Sequence, residues 1–321
     1  MNRILRVGTR KSQLAVTQTG HVVKALQELH PGLAVEVVEI LTKGDRIQDV
    51  ALSKVGGKGL FISELEEALL RGHVDFAVHS LKDVPAELER GLVIGAVPRR
   101  ENPHDLLITR QGYTLMTLPQ RPRIGTSSLR RSAQIMRIRP DAQIEALRGN
   151  IDTRLRRLQE QPQLDGIVLA AAGLMRMGWW EPQGDKMLPA GLGAVLLTED
   201  ELVPAVGQGA LCIECRADDE ELLRLLRVLH DSEADATTRA ERAFLKAVGG
   251  SCQVPVAGYA TMARAQAGRK QVVLRGWIGS PDGRQMSAGS LSGEDPERLG
   301  RELGEHLLTT GGRVILDQLS C

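Results

Sequence analysis

Aromatic rings are scarce in this sequence: three Trp, two Tyr and three Phe among 321 residues. The cores must therefore be built from Leu, Val, Ile and Ala, and the stacking platforms that a single-strand nucleic-acid binder uses are missing. Cysteine is scarce too. Four thiols in a chain of this length do not make a disulfide framework, which points to a reducing, cytoplasmic setting. Net charge is almost absent, because 41 basic residues face 40 acidic ones. A balance of +1 gives no global attraction to nucleic acid or to an anionic membrane surface. No apolar run approaches a membrane span, since Ile167 to Met175 is too short and contains Gly173. The segment from Met1 to Arg6 carries charge but is followed by no apolar signal core. What remains is an ordinary globular composition, 42% hydrophobic and 25% charged, long enough for two or three domains.

The pattern along the chain is strand, helix, strand. Arg3 to Val7 reads as a strand and Ser12 to His30 as a helix with Val22, Val23, Leu26 and Leu29 on one face. Val35 to Leu41 is extended, Phe61 to Leu70 helical with Gly72 as its stop, and Asp75 to His79 and Leu92 to Val97 are short strands. After a hinge at 99–103 the theme repeats: strand 123–125, helix 129–138, strand 143–147, helix 151–159, strand 166–170. Such alternation predicts mainly parallel sheets with helices on their faces. Ala210 to Cys215 reads as a strand that returns to the first sheet, followed by a helix over 219–229. A helix over 234–248, extended runs at 254–260 and 272–278, a helix over 296–308 and a strand over 314–319 suggest a small α+β domain. The expected domains are thus 1–100 with 206–230, then 101–205, then 231–321.

Charge is unevenly placed. Residues 121–157 hold ten arginines against three acids (Asp141, Glu145, Asp152), a local charge of +7. Within it, Gly125-Thr126-Ser127-Ser128-Leu129-Arg130-Arg131 stands where a strand meets a helix, so hydroxyls and free N–H groups converge on one spot. Arg148-Gly149-Asn150 with Arg154 stands in the same place after the next strand. Two such cradles, with arginine forks beside them, suit a ligand bearing several carboxylates or phosphates rather than a merely solvated basic face. The run Val55-Gly56-Gly57-Lys58-Gly59-Leu60-Phe61 lacks phosphate-loop spacing; with Lys54 it reads either as a basic lid over about 43–60 or as a plain turn. His79-Ser80-Leu81-Lys82-Asp83 puts polar groups at the carboxyl end of a buried strand, where open α/β sheets bind ligands. Asp83 there is either an exposed turn residue or a carboxylate that stabilises a developing cation. His79 reads as a core histidine before it reads as a general base, and Cys212-Ile213-Glu214-Cys215 as structural, since residues three apart on a strand face opposite ways. No metal-ligand spacing follows. Cys252, in Gly249-Gly250-Ser251-Cys252-Gln253-Val254-Pro255, is a thiol on a permissive loop.

Taken in order, these runs resemble the porphobilinogen deaminase (hydroxymethylbilane synthase) family. Arg10-Lys11-Ser12, the runs at 54–61, 79–85 and 125–131, Leu147-Arg148-Gly149-Asn150, Ala205-Val206-Gly207-Gln208-Gly209-Ala210 and 250–255 span nearly the whole chain. The resemblance implies an α/β fold of three domains, the first two like periplasmic binding proteins with mixed, mainly parallel sheets, the third small and α+β. It implies a cytoplasmic monomer that takes porphobilinogen as substrate and binds neither nucleic acid nor membrane. Four porphobilinogen units are joined head to tail with loss of ammonia, on a dipyrromethane cofactor held by a thioether to Cys252, giving hydroxymethylbilane. By motif, Asp83 stabilises the cation left by ammonia. Lys82, Thr126, Ser128, Arg130, Arg131 and Arg154 hold the cofactor carboxylates. Arg10, Ser12, Gln18, Arg148 and Arg176 hold substrate, while Lys54, Lys58 and Phe61 belong to the mobile loop; no metal is involved. Two departures stand out: Gln13 replaces a common proline, and the stretch from Trp179 to Glu201 is longer than usual, which suggests an added surface loop. The rivals, a two-lobe polyanion-binding protein and a nucleic-acid binder, leave Asp83 and Cys252 without a task.

Overall fold

The structure is a computed structural model that describes residues 4–46, 62–183, 188–249, 254–264 and 269–319. The chain divides into two compact units, 1–101 with 209–235, and 102–208 with 236–321. Each is built on a different part of the pattern read above.

The first unit contains β1 (Leu5–Arg10), α1 (Gln13–Leu29), β2 (Val35–Ile40), α2 (Lys43–Arg46), α3 (Ser63–Leu70), β3 (Phe76–Ser80) and β4 (Leu92–Ala96). After a long excursion the chain returns as β10 (Leu211–Arg216) and α7 (Glu220–Leu226). The sheet order is β2-β1-β3-β10-β4. β1 runs parallel to β2 and β3, and β10 antiparallel to β3 and β4. α1 forms because Ser12 caps it, its Oγ accepting from the Ala15 N–H at 3.3 Å, and because Val22 and Leu26 repeat on one buried face. The cap holds with Gln13 in place of proline. One face of the sheet joins α1 through Leu5, Val7, Phe76, Val78 and Ile213. The other joins α3 through Leu65, Leu69 and Ala77. Cys212 and Cys215 enter different clusters, as strand alternation requires.

The second unit begins with β5 (Asp105–Thr109), β6 (Arg123–Gly125), α4 (Leu129–Ile138), β7 (Gln143–Glu145), α5 (Ile151–Glu160), β8 (Gly166–Ala170), α6 (Ala171–Arg176) and β9 (Gly193–Leu197). These strands order as β7-β6-β8-β5-β9. β6 is parallel to β7 and β8, and β5 antiparallel to β8 and β9. The sequence of parallel and antiparallel neighbours repeats that of the first sheet, so the two sheets are structural cousins without a visible sequence repeat. Both sheets are evenly mixed rather than mainly parallel, because β5 and β10 each run against their neighbours. The stretch from Trp179 to Glu201 is not a surface loop throughout: Trp180 is buried, and β9 closes an edge of the sheet.

The rest of the unit holds α8 (Ser232–Ala247), β11 (Val256–Arg264), β12 (Lys270–Gly279), β13 (Met286–Gly293), α9 (Pro296–Leu307) and α10 (Arg313–Asp317). The antiparallel sheet β11-β12-β13 packs on α8 and α9 through Phe244, Leu274, Ile278, Leu299, Leu303 and Leu307. Residues 314–319, expected as a strand, instead fall in α10 and the turn that follows it. Gly311 at φ +118° turns the chain, and the positions that then face inward, Gly312, Ile315 with half-buried Leu316, and Leu319, recur every three or four residues, the period of a helix rather than of a strand.

Candidate functional site

In the first unit the carboxyl ends of β1 and β3 open a small pocket of about 60 Å³. Arg10, Ser12, Gln18, His79, Ser80 and Asp83 line it, so four residues chosen from sequence come together there. Gln18 is buried and exchanges hydrogen bonds with Ser80, Nε2 donating to Oγ at 3.1 Å. Asp83 ends the 3-10 turn Leu81–Asp83 that β3 runs into, with its side chain exposed, and half-buried Lys82 precedes it. The turn is fixed by the Leu81 N–H donating to the Ala210 carbonyl at 3.0 Å and the Val84 N–H to Leu81 at 3.1 Å. An exposed carboxylate above a neutral and cationic lining can meet a cation without first being desolvated.

The second unit carries the arginines. The Ser128 hydroxyl caps α4, accepting from the Arg131 N–H at 3.4 Å, while the Thr126 hydroxyl accepts from the Ser128 N–H at 3.2 Å. Arg130 and Arg131 point inward. Both clasp Asp105, a fully buried carboxylate at the head of β5: Arg130 Nη2 donates to Oδ2 at 2.8 Å, and Arg131 Nη2 to Oδ1 at 2.7 Å. Gln208 adds a bond to Oδ1 at 2.9 Å, and the Val203 and Val168 carbonyls accept from the two guanidiniums at 2.8 and 2.9 Å. Burial alone would raise the Asp105 carboxyl, but the two arginines outweigh it and hold the group well below the usual carboxylate range. N–H hydrogens remain on both forks for a bound carboxylate.

Arg154 behaves differently. Its Nε donates to the Gly149 carbonyl at 2.8 Å, and among the described residues no carboxylate pairs with it. Burial, with repulsion from Arg131 and Arg148, pushes it down to about 10. Gly149 must be glycine: its φ is +105°, and a Cβ would stand 2.8 Å from the Thr153 methyl. Arg176 lies in the last turn of α6. Two further arginines of the segment are paired locally, since Arg139 chelates Asp141 and Arg123 binds Glu145. The arginine count therefore overstated the cradle. The counter-charge Asp105 lay outside the segment counted, and the signal for it was an acid opening the apolar run Leu106-Leu107-Ile108. A larger groove of about 420 Å³ runs past Arg137, Arg275 and Trp277, but its acidic wall of Glu199, Asp200 and Glu201 does not suit a carboxylate ligand.

Lys54, Lys58, Phe61 and Cys252 lie outside the described residues. Among the described residues no cluster of metal-ligating side chains occurs, and no helix is long and apolar enough to cross a membrane.

Fold and site together define a multidomain α/β protein with a crowded cationic cradle in one unit and a small acid-bearing pocket in the other. Comparison with known proteins gives the family. The description "Porphobilinogen deaminase, dipyromethane cofactor binding domain" matches residues 5–224, and "Porphobilinogen deaminase, C-terminal domain" matches 236–309. The porphobilinogen deaminase of Brevibacillus brevis is 51% identical over 314 residues, covering 98% of this chain and 97% of that protein. That of Bacillus subtilis is 47% identical over 319 residues, covering 99% and 97%. The chain belongs to the porphobilinogen deaminase family. Among solved structures, the Escherichia coli periplasmic aliphatic sulphonate binding protein SsuA matches at 13% identity and a TM-score of 0.40, over 77% of this chain and 70% of that one.

Proposed function

We propose that this chain joins four porphobilinogen molecules head to tail, with loss of ammonia, into hydroxymethylbilane, on a dipyrromethane held by a thioether to Cys252. Family membership over almost the full length makes it an enzyme of tetrapyrrole biosynthesis; the residue roles are our reading. The observation that carries them is Arg154, a guanidinium crowded by Arg131 and Arg148 with no carboxylate paired to it among the described residues. Such a site is relieved by an anion, and a dipyrromethane brings acetate and propionate groups. When bound, that group supplies the primer on which the product grows.

The chain's own residues do the rest. Thr126, Ser128, Lys82, Arg130, Arg131 and Arg154 hold cofactor carboxylates. Arg130 and Arg131 do so while anchored to Asp105, which fixes their planes before a ligand arrives and lowers the ordering cost of binding. Arg10, Ser12, Gln18, Arg148 and Arg176 hold the incoming substrate. In the pocket, Ser12 keeps its hydroxyl proton for a substrate oxygen because Oγ accepts from the helix N–H. Asp83 presents its carboxylate to the pyrrole nitrogen, where positive charge develops as ammonia departs, and takes part in proton transfer there. We take the enzyme to be a cytoplasmic monomer without nucleic-acid or membrane partners, in keeping with its balanced charge.

The intact mass of the denatured chain tests this reading directly. An excess of two linked pyrrole units that disappears in Cys252→Ser establishes the group and its anchor. An unmodified mass that persists after incubation with porphobilinogen or preformed bilane refutes them. Asp83→Asn, with shape kept and charge lost, should stay folded and turn over about 100-fold more slowly or worse; near-parental bilane formation would remove Asp83 from its role.

A further inference from the structure

Two ionisable side chains beneath the Asp83 pocket have no part in the chemistry above. β3 alternates its faces, so Phe76 and Val78 enter the core shared with α1 while Ala77 enters the one shared with α3. Ser80 accordingly turns to Gln18 of α1, and His79 turns the other way, to Glu214 of β10. The register pairs His79 with Cys212 and Ala77 with Glu214, which makes His79 and Glu214 diagonal neighbours on one face. Their Nε2 and Oε2 atoms approach to 3.0 Å, with the side chains 4% and 1% exposed. The contact is out of line for a hydrogen bond, and among the described residues nothing else hydrogen-bonds that nitrogen or either Glu214 oxygen. A second acid faces the pair from α3: burial, then the Glu214 carboxylate, raises the Glu66 carboxyl, and His79 opposes the rise.

Stability does not account for this arrangement. A buried ionisable pair with poorly satisfied atoms is often matched or surpassed by apolar residues of similar volume. Its place in the fold does account for it. The strand runs from His79 through Ser80 straight into the turn that ends at Asp83, and all three residues line one pocket. Ser80 and Gln18 pin the end of β3 on the α1 side, and His79 and Glu214 pin it on the α3 side. We propose that His79 and Glu214 are positioning residues for Asp83: they fix the direction in which the chain leaves β3 and so where the exposed carboxylate stands. The inference rests on the role given to Asp83 above.

The test uses the full-length, cofactor-loaded enzyme. The double variant His79→Leu/Glu214→Leu should unfold at a temperature no lower than the parent's. Its kcat should nevertheless fall about 10- to 100-fold, as expected for a catalytic group misplaced by an ångström or less, with KM within about twofold. His79→Gln, which keeps Glu214 and sets a polar side chain of similar reach beside it, should recover most of kcat. Amide resonances of Ser80 to Asp83 should move in the double variant and return in His79→Gln. A folded double variant with kcat within about threefold of the parent overturns the proposal. So does a rate loss that tracks a lower unfolding temperature while those amides stay in place. If Asp83→Asn is itself active, it is the reading of Asp83 that fails; the amide shifts still report whether the pair positions the turn.

Discussion

Asp105→Asn removes one charge and almost no volume from the interior of the second unit. In the parent, two guanidiniums only 6% and 8% exposed share that carboxylate. The amide that replaces it still accepts a hydrogen bond, but it turns an N–H₂ toward one fork and leaves both cations without a counter-charge. Breaking a buried ion pair by removing one partner costs about 3–5 kcal/mol. At about 2–4 °C per kcal/mol for a domain of 150–250 residues, the midpoint of thermal unfolding should drop by about 6–20 °C. Differential scanning calorimetry on cofactor-free protein measures this without interference from ligand binding. The exposed i,i+4 pair Arg298–Glu302 supplies the control, since Glu302→Gln should cost about 0.5 kcal/mol or less. The pH dependence adds a second arm. Asp105 is held below the ordinary carboxylate value despite its burial, so its contribution is complete above about pH 4 and is lost as pH falls toward the folded-state value. The parent and Asp105→Asn should therefore converge in stability only in strong acid. A loss below about 1 kcal/mol at pH 7, or a gap that stays constant down to pH 2, would refute the claim that this carboxylate holds the two arginines.

Arg154→Leu should behave in the opposite way: because burial and neighbouring cations depress the parent group to about 10, the apo-protein should unfold no earlier than the parent, while the fraction of chains carrying the two-pyrrole mass collapses. A less stable apo variant that still loads fully would make Arg154 a structural residue. Gly300→Ala should destabilise by about 1–3 kcal/mol in urea titration, because the new Cβ meets the Ala240 carbonyl and the Ala243 methyl of α8 where α9 crosses it. Unchanged stability would mean that the two helices are free to separate.

The elements that were legible in the sequence are those with a clear local signal. α1 and α9 show an apolar period on one face and a capping side chain, α4 a capping serine, and β8 an uninterrupted apolar run, so that 123–125, 129–138 and 166–170 fall where the pattern places them. β5, β9 and β13 were not legible. β5 opens on Asp105 and β9 on Gly193-Ala194, residue types that strands disfavour, and β13 reads Met-Ser-Ala-Gly-Ser-Leu-Ser-Gly, without β-branched residues, and takes its strand form from pairing with β12. Residues 314–319 show the converse: an apolar run with strand composition becomes helical because a positive-φ glycine turns it back onto the core.

The site divides along the same line. Local chemistry was readable: the caps at Ser12 and Ser128, the acid at a strand end, the arginines beside a helix start. Charge partners distant in sequence were not, and they decide what each arginine does. Arg131 and Arg154 are indistinguishable by composition, yet one is neutralised by Asp105, 26 residues before it, and the other by no described side chain. Both states serve a cradle for a polyanion. The matched arginines cannot swing, so they define the plane that a carboxylate meets; the unmatched one supplies the net attraction. The scheme makes the order of effects testable in one series: losing Asp105 should cost stability first and loading second, and losing Arg154 should cost loading alone. A variant at Arg154 that lost stability in proportion to loading would collapse the distinction between the two kinds of arginine.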